Sequence, residues 1–480
     1  MNKYITLFDI VNSTHGKVIT QNQTEFAGVG TDSRQLLENT LFIALQGEAH
    51  DAHRFLDQAV EQGATALLIH KWEPEYEHLK GRVTIVLVDD TLKALQSLST
   101  FRRNQALAKV IALTGSNGKT TTKEFLAAIL KPYFNVHYNQ GSFNNHWGVP
   151  LTLLGIMPEH DLVICEMGMN HPNEISELVG IARPNVVGVT MVGRAHLEGL
   201  GSIEAVSLAK EEIYSSVINP QHAVFNLDNP WTAKMLVPFK NKNPKSKIIT
   251  FSEYNSDVPN ENIDVQLSIK SFSVSHISIE GTILSTFGSC ELEIFGAHNI
   301  TNLMAAVSFA LSTGLTPDQI WRSLPNCKNT WGRNQILKTQ IGATVVFDGY
   351  NANPDSQKAL IENIKLFTKN SSQKYIGVFG DMKELGDQSC ILHEELGELV
   401  ASAPFDIVWF VGPHCEFYNN GFIRKNKNNK ITVFTSNEVD HDICLKINSQ
   451  LKANDLMVIK GSRGMKLEKV LTELNININK

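Results

Sequence analysis

Short apolar runs alternate with longer stretches of helical spacing between residues 110 and 227. Strands are predicted at 110–114, 162–165, 186–192 and 223–227, and helices at 121–130, 174–181 and 203–217. Strands that alternate with helices in this way favour a mostly parallel sheet covered by helices. A second series of the same kind begins near residue 340, with strands predicted at 344–347, 375–379, 407–411, 431–434 and 456–459. The pattern therefore predicts two successive α/β units.

The remaining segments have a different character. Before residue 90, strands are predicted at 41–45, 66–69 and 83–88, and a helix at 53–62 that ends at Gly63. A helix at 91–107, with Thr91 as its cap, leads into the next unit. The segment 246–295 alternates with period two and predicts antiparallel strands, a helix follows at 300–312, and 425–430 is predicted to be a surface loop. We therefore predict an α/β protein of three domains, 1–90, 91–328 and 329–480.

The composition is that of a folded protein without a global affinity for polyanions. Of 480 residues, 42% are hydrophobic and 19% are charged, with a net charge of -6, so disorder and general attraction to nucleic acid or anionic lipid are excluded. The six cysteines form no CxxC pair, which favours free thiols in a reducing compartment. Asp9 interrupts the first apolar stretch and no small-residue cleavage site follows, so we expect no signal peptide. No run approaches the roughly 18 apolar residues that a membrane span needs, so we expect a cytoplasmic protein.

The strongest chemical signal is the segment 114–121, TGSNGKTT, which joins a predicted strand to a predicted helix. Glycines allow backbone N–H groups to curl around an anion, and the helix N-terminus adds positive potential. Lys119 can reach terminal phosphates, and the Thr120 hydroxyl can bind Mg²⁺. The spacing is GxxGKT, since Leu113 stands where a first glycine would fall. An ordinary glycine-rich turn is the alternative.

Three further candidates follow the predicted strands of the middle unit. Glu166 ends one strand, on the side of an open sheet where ligands bind, and suits Mg²⁺, although such acids also cap loops. His196 follows the next strand and is either a ligand or a satisfied histidine. Lys210, one helix further on, has the ordinary interpretation of a solvated helix lysine.

Two polar segments border the third predicted unit. Asn299 precedes a helix, where asparagine is commonly a cap, and its amide also suits the edge of an adenine. The segment 348–354, DGYNANP, follows the first strand of the third unit. It is ordinary turn chemistry, or a site that offers amide and carboxylate groups at a strand end.

Taken together, these residues resemble the Mur ligase family, the ATP-dependent amide-forming enzymes of peptidoglycan synthesis. The resemblance covers nearly the whole chain, and YNANP with GDMKELG is its most specific part. The motifs that carry it are TDSR at 31–34, LFIALQG at 41–47, TGSNGKTT at 114–121, Asn144-Asn145 with GVP at 148–150, AHLEG at 195–199, HN at 298–299, Gly332-Arg333, YNANP at 350–354, GDMKELG at 380–386 and KGSR at 460–463. Four positions depart from the family pattern: Ala52, Arg194, Trp331 and Gly349.

The resemblance implies a small N-terminal α/β domain, a central mononucleotide-binding domain with a phosphate loop and a mostly parallel sheet, and a Rossmann-like C-terminal domain. It also implies a role for each candidate. The ATP phosphates would bind Gly115, Ser116, Asn117, Gly118, Lys119, Thr120 and Thr121. Mg²⁺ would be bound by Thr120, Glu166, His196 and Lys210, the last of these carbamylated by CO₂. The catalytic residues would be Lys119, Glu166, His196 and Lys210. The nucleotide would contact Asn299, Arg333 and Asp348, and the two other substrates would contact Ser33, Arg34, Asn144, Asn145, Tyr350, Asn351 and Asn353.

The resemblance also implies a reaction and partners. D-Alanyl-D-alanine would be joined to UDP-N-acetylmuramoyl-tripeptide through an acyl phosphate, by a monomer that needs ATP and Mg²⁺. We expect the third unit to close over the second, and to lie far from the phosphate loop before nucleotide binds. The alternatives are a sibling ligase that adds diaminopimelate, lysine or a folate-linked glutamate, and a nucleotide-controlled switch protein without ligase chemistry.

Overall fold

Three large sheets, each formed by a different stretch of the chain, organise the protein, and a further two-stranded sheet joins Ile5–Thr6 to Glu25–Phe26. The computed structural model describes residues 4–47, 50–139, 141–217, 219–253, 263–367, 372–426 and 430–476. The architecture is mixed α/β, as the pattern of apolar runs predicted.

The first sheet belongs to a small N-terminal unit, with strand order β2-β7-β6-β5-β4. Its elements are β1 Ile5–Thr6, α1 Leu7–Thr14, β2 Lys17–Thr20, β3 Glu25–Phe26, β4 Gly28–Gly30, β5 Thr40–Ile43, 3₁₀ Ala52–Phe55, α2 Leu56–Glu61, β6 Ala64–Ile69, 3₁₀ Pro74–Leu79, β7 Thr84–Leu87 and α3 Thr91–Gln105. The cap predicted at Thr91 is wrong by one residue. Asp90 accepts hydrogen bonds from the N–H groups of Leu92 and Lys93, while the Thr91 hydroxyl donates to Ala44 O.

The central unit carries the largest sheet, ordered β16-β15-β14-β13-β12-β11-β8-β10-β9. Its first elements are β8 Lys109–Thr114, α4 Lys119–Leu130, β9 Val136–Tyr138, α5 Gly148–Leu154, β10 Leu162–Glu166, α6 Glu174–Ala182, β11 Val186–Val189, α7 Leu197–Leu200, α8 Ile203–Ser215 and β12 His222–Asn226. The remaining elements are α9 Pro230–Lys242, β13 Lys247–Glu253, β14 Val265–Phe272, β15 Ile277–Ile283, β16 Thr286–Leu292, α10 Asn299–Leu311, α11 Pro317–Ser323 and 3₁₀ Leu324–Asn326.

The antiparallel prediction for 246–295 holds only in part. Strand β13 pairs in parallel with both β12 and β14, and only the pairs β14–β15 and β15–β16 are antiparallel. Period-two alternation indicates a strand but not the direction of its neighbour, which explains the error. Residues 254–262 of this segment lie outside the described residues.

The third sheet is ordered β17-β18-β22-β19-β20-β21, with β17 antiparallel to β18 and the other pairs parallel. Its elements are β17 Gln335–Lys338, β18 Thr344–Asp348, α12 Pro354–Leu366, β19 Tyr375–Gly380, 3₁₀ Gly386–Gln388, α13 Ser389–Ala401, β20 Ile407–Val411, α14 Cys415–Lys425, β21 Thr432–Ser436, α15 His441–Ser449, β22 Leu456–Lys460, 3₁₀ Arg463–Met465 and α16 Glu468–Glu473. Of the surface loop predicted at 425–430, residues 427–429 lie outside the described residues.

Strand β8 lies between β11 and β10 in the central sheet and positions the site. Val110 and Ala112 face one core, Ile111 and Leu113 face the opposite core, and all are fully buried. A strand covered on both faces is apolar at every position, as expected in a parallel sheet. The chain leaves β8 toward β9 and β10 on one side and toward β11 on the other, so a crevice opens at its carboxyl end.

Two observations bear on the environment of the chain. All six cysteines are free thiols, in agreement with the prediction from their spacing. In the part of the chain that the structure describes, no helix is both long and apolar enough to cross a bilayer.

Candidate active site

A cavity of about 610 Å³ lies where the carboxyl ends of strands from the central and third sheets meet. Strands β8, β10 and β11 contribute from the central unit, and β18, β19 and β22 from the third. Most of the residues selected from the sequence line this cavity: Ser116, Asn117, Gly118, Lys119, Thr120, Thr121, Asn144, Asn145, Glu166, His196, Asn299, Arg333, Asp348, Tyr350 and Asn351. The fold therefore brings together residues up to 235 positions apart in the sequence, from Ser116 to Asn351, as the position of these residues at strand ends predicted.

The phosphate-loop segment has the geometry of an anion cradle. Gly118 has φ +82° immediately before α4, and a Cβ there would lie 2.1 Å from Asn302 Oδ1. A Cβ on Gly115 would lie 1.9 Å from Thr190 Oγ1. Only glycine fits at these two positions, so the loop backbone is free to approach a ligand. Lys119 Nζ donates to Gly115 O at 2.7 Å, which holds its charge at the loop.

Glu166 is held at the end of β10 with one oxygen left over. Its Oε1 accepts from Asn144 Nδ2 at 2.7 Å, and its Oε2 lies 3.8 Å from Lys123 Nζ. Lys123 is itself engaged with the carbonyls of Asn139 and Gly141 at 2.8 and 2.7 Å. The carboxylate is almost completely buried, and Oε2 accepts no hydrogen bond from the described residues. Asn144 therefore orients the Glu166 carboxylate.

His196 follows β11 and faces the third unit. Its Nδ1 lies 3.0 Å from Glu384 Oε2, at hydrogen-bond distance but without the alignment of a full hydrogen bond. Burial lowers the pKa of His196 and the positive charge of Lys119 acts in the same direction, while the contact with Glu384 opposes the shift. The imidazole is therefore a neutral ring at neutral pH, with a lone pair available for a ligand.

Lys210 is not the solvated helix lysine of the ordinary interpretation. It lies on the inner face of α8 with no exposed surface, and its Nζ has no hydrogen-bond partner among the described residues. Burial lowers the pKa of Lys210 well below its usual value, and the charge of Lys119 lowers it further. A lowered pKa increases the fraction of neutral, nucleophilic amine, which is the form that reacts with CO₂.

The donors left without partners fit a hard divalent cation. Thr120 Oγ1 and Glu166 Oε2 are buried oxygens without a hydrogen-bond partner in the described part of the chain, and His196 adds a neutral imidazole. A hydroxyl and a carboxylate oxygen beside a phosphate loop match the preference of Mg²⁺ for oxygen ligands, and the imidazole is a weaker, nitrogen ligand for such an ion. Lys210 fits this set only as a carbamate, because an amine of this kind is not a ligand for a hard cation.

Each of the three residues predicted to contact the nucleotide already has a partner within the protein. Arg333 stacks with its guanidinium 4.4 Å from the centre of the Tyr350 ring, at the cavity wall. Asp348 forms a buried ion pair with Lys460. Asn299 donates to Phe295 O at 2.7 Å and accepts from Asn302 Nδ2 at 2.8 Å.

Asn299 does not act as the predicted helix cap. It is the first residue of α10 itself, and His298 precedes it at the cap position without a side-chain cap bond. Both groups of the Asn299 amide are used within the protein, which leaves the second acceptor lone pair of Oδ1 for a ligand.

Some predicted residues do not line the cavity. The Ser33 hydroxyl donates to Gln58 Oε1, and the exposed Arg34 pairs with Asp32 at 2.7 Å. Asn353 caps α12 and donates through Nδ2 to Asn117 Oδ1 at 2.8 Å, so it bridges the third unit and the phosphate loop. The third unit thus lies against the loop in this structure. The more open arrangement expected before nucleotide binds stays a prediction.

The structure also adds residues that were not selected. His298, Asn302, Asp355, Glu384, Lys460 and Arg463 line the same cavity. A signal existed for Lys460, which ends β22 at the rim that carries the other residues. Asn302 and Asp355 lie inside helices, and nothing in the local sequence separates them from other polar helix residues.

The structure shows contacts that explain three of the four residues that depart from the family pattern. The Phe347 ring fills the space where a Cβ of Gly349 would stand, at 2.5 Å. The Arg463 guanidinium lies 4.8 Å from the centre of the Trp331 ring. Arg194 binds Asp355 of the third unit through its backbone N–H at 2.6 Å and its Nε at 3.2 Å. Nothing in the structure explains Ala52.

Comparison with known families accounts for most of the chain. Residues 113–310 match the Mur ligase middle domain, and residues 332–463 match the Mur ligase glutamate ligase domain. Residues 25–103 match the catalytic domain of the Mur ligase family.

Individual relatives agree over nearly their full length. A UDP-N-acetylmuramoyl-tripeptide–D-alanyl-D-alanine ligase of Escherichia coli (strain K12) is 34% identical over 98% of this chain and 99% of its own. The Bacillus subtilis (strain 168) protein of the same name is 33% identical over 94% of each chain.

Solved structures show the same fold. A crystal structure of MurF from Acinetobacter baumannii superposes with a TM-score of 0.84, at 29% identity, over 98% of both chains. A MurF ligase from Thermotoga maritima in complex with ADP has a TM-score of 0.77 at 27% identity, over 93% of this chain and 98% of its own.

Proposed function

The chain belongs to the Mur ligase family, and we propose that it joins D-alanyl-D-alanine to UDP-N-acetylmuramoyl-tripeptide at the expense of ATP. The product is UDP-N-acetylmuramoyl-pentapeptide, and ADP and phosphate are released. The enzyme thus serves peptidoglycan synthesis, and with it cell-wall formation, cell shape and division. The observation that carries the proposal is a glycine-lined anion cradle, beside buried oxygens without partners, in a cavity that two units close together.

The phosphate loop binds the nucleotide. Backbone N–H groups at the start of α4 and the Lys119 ammonium face the phosphates, so they neutralise the charge that builds on the transferred group. Thr120, Glu166 and His196 would hold Mg²⁺, with Lys210 as a fourth ligand once it is carbamylated. The bound ion supplies further positive charge to the phosphate oxygens.

The reaction needs two steps because a carboxylate has no leaving group. The tripeptide carboxylate attacks the γ-phosphate, which forms a new O–P bond and breaks the bond to ADP. The neutral amine of the dipeptide then attacks the acyl carbon, the C–N bond forms, and phosphate leaves as the amine loses a proton. An α-amine has a pKa of about 8, so part of it is already neutral near pH 7.

The third unit protects the intermediate from water. Asn353 reaches Asn117 of the phosphate loop, and Arg194 of the central unit binds Asp355, so the two rims are in contact around the cavity. Closure of this kind excludes water that would hydrolyse an acyl phosphate. Arg333, Asp348 and Asn299 face the nucleotide, and Tyr350, Asn351 and Asn353 lie on the dipeptide side.

The proposal includes the organisation of the protein. The N-terminal unit, 1–90, binds the UDP-sugar peptide with Ser33 and Arg34, together with Asn144 and Asn145 of the ligase unit. The ligase unit spans 91–328 and the closing unit 329–480. A monomer in the cytoplasm fits this scheme, since the cavity is completed within one chain and the substrates are water-soluble small molecules.

Mass spectrometry of the product tests the proposal. The full chain is mixed with Mg-ATP, UDP-N-acetylmuramoyl-tripeptide and D-alanyl-D-alanine, and the expected product has the mass of both substrates less one water. A parallel screen offers diaminopimelate, lysine and glutamate as amines. Coupling of one of these instead would identify a sibling ligase, and ATP hydrolysis that ignores both substrates would identify a switch protein.

A further inference from the structure

Two carboxylates of the third unit contact the short segment 193–196 that follows β11. Asp355 accepts from the Arg194 backbone N–H at 2.6 Å and from its Nε at 3.2 Å. Two residues later, His196 Nδ1 lies 3.0 Å from Glu384 Oε2. The Glu384 backbone also takes part, because its carbonyl accepts from the N–H of Glu198. The third unit therefore holds this segment at several points around the histidine.

The beginning of the same segment is fixed to the central unit. Gly193 N donates to Ser116 Oγ at 2.9 Å, and the Ser116 hydroxyl donates to Gly193 O at 3.0 Å. Ser116 N donates to Met191 O at 2.8 Å. His196 thus stands at the end of a segment that starts on the phosphate loop and finishes against the third unit. The position of its ring depends on the second attachment.

The backbone at this contact is unusual on both sides. His196 has φ +57° and Glu384 has φ +64°, which is the left-handed region that residues with a Cβ seldom adopt. Such conformations persist only where the surroundings hold them, and they are concentrated at functional sites. His196 and Glu384 both have this conformation and their side chains contact each other, which indicates that the surrounding structure maintains the contact.

Buried groups hold the loop that carries Glu384 in place. Met382 N donates to Nε2 of the fully buried His393 at 3.1 Å, and Lys383 N donates to Ser462 Oγ at 2.9 Å. The other ring nitrogen of His393 contacts Ser389 O at 2.6 Å. Burial lowers the pKa of His393 to about 4, so at neutral pH it is a neutral acceptor suited to this loop. Glu384 is therefore presented on a preorganised backbone.

We propose that Glu384 is a positioning residue for His196. A carboxylate can only accept, so the contact requires the hydrogen of the neutral imidazole on Nδ1 and leaves the lone pair on Nε2 for a ligand in the cavity. Asp355 supports this by holding Arg194. Because Glu384 arrives with the third unit, His196 takes up its working orientation only when that unit docks. The inference rests on the proposed function and names the residue that links closure to site assembly.

Kinetics of a matched pair of variants test the proposal. Glu384→Ala should lower kcat about 10- to 100-fold, the usual effect of removing an outer partner of a ligand histidine, without change in the KM for UDP-N-acetylmuramoyl-tripeptide. Glu384→Gln keeps an acceptor oxygen and should recover most of kcat. The control is Glu198→Ala, which removes the same charge from a neighbouring exposed side chain with no ion pair or side-chain hydrogen bond in the described residues.

A spectroscopic readout separates positioning from a general structural role. Nitrogen NMR of ¹⁵N-histidine-labelled protein, with the His196 signals assigned through His196→Gln, should show the Nδ1–H tautomer in the unmodified chain and loss of that preference in Glu384→Ala. In a His196→Ala background, Glu384→Ala should have no further effect on kcat.

The outcomes that overturn the proposal are distinct from failure of the proposed function. Equal kcat in Glu384→Ala and Glu198→Ala, or an unchanged His196 tautomer in Glu384→Ala, would remove Glu384 from this role. If the unmodified chain formed no pentapeptide product, the proposed function would fall, while the tautomer measurement would still decide whether the contact orients His196.

Discussion

Lys210 provides the sharpest test of the site, because its amine is buried without a partner. An unsatisfied buried polar group costs about 1–3 kcal/mol, and a charged one costs more. In protein freed of CO₂, Lys210→Met should therefore raise the free energy of unfolding by about 1–3 kcal/mol. For a unit of roughly 150–250 residues, each kcal/mol shifts the thermal midpoint by about 2–4 °C. The shift is measurable by calorimetry.

Bicarbonate should reverse this order of stability. The neutral amine attacks CO₂, a C–N bond forms and a proton is lost, so the lysine becomes an anion that the nearby positive charge of Lys119 favours. The unmodified chain should then gain stability and show a carbamate signal in ¹³C NMR with labelled bicarbonate, whereas Lys210→Met should not respond. Lys210→Ala should lose activity and regain part of it with short carboxylic acids.

A specific combination of results would refute this reasoning. If bicarbonate left the stability of the unmodified chain unchanged, and if Lys210→Ala lost activity that no carboxylic acid restored, the lysine would act as an amine. If Lys210→Met were also less stable than the unmodified chain without CO₂, the amine would have a partner in solution that the fold does not show.

Three further predictions address the phosphate loop and the third unit. Lys119→Ala should lower ADP formation at least 100-fold, roughly the effect of losing one transition-state charge partner, and full turnover would contradict the loop assignment. Lys460→Met leaves Asp348 buried and unpaired, which should cost about 3–5 kcal/mol in urea unfolding, and adding Asp348→Asn should restore part of it; no recovery would contradict the pairing. The His393 pKa of about 4 lies below the unfolded value of about 6.5, so the unfolded state binds more protons between these values. Stability should therefore fall as the pH drops from about 6.5 to 4, and His393→Gln should flatten that slope.

Local features of the fold were predictable because they depend on neighbouring residues. The apolar run 110–114 and the glycines after it define a buried strand, a loop and a helix start within twelve residues, and the structure agrees. The prediction of Thr91 as the helix cap was wrong by one position, because Asp90 and Thr91 are both good cap residues. Which of them caps the helix depends on where the helix begins, and the sequence does not specify that to one residue. The prediction that β13 is antiparallel to its neighbours was wrong because the alternation of residues in a strand does not indicate the direction of the strands that pair with it.

The candidate site was predictable as a group of residues but not as an arrangement. Glu166, His196 and Asp348 each follow a strand, and parallel strands end at the same rim, so their assembly could be anticipated. That Lys210 is buried could not be anticipated, since its neighbours Glu211 and Glu212 have the sequence character of an exposed helix face. Its burial depends on the sheet against which α8 packs.

The sequence by itself determined most of the strands of the two α/β units, the phosphate loop and the rim on which the chemistry lies, since these follow from periodicity and from glycines within a few residues. The tertiary structure alone decided which groups meet across the units: Asn353 with Asn117, Asp355 with Arg194 and Glu384 with His196. These pairs are separated by more than 150 residues. Their contact depends on how two independently formed sheets dock, and no local pattern of apolar and polar residues specifies that geometry.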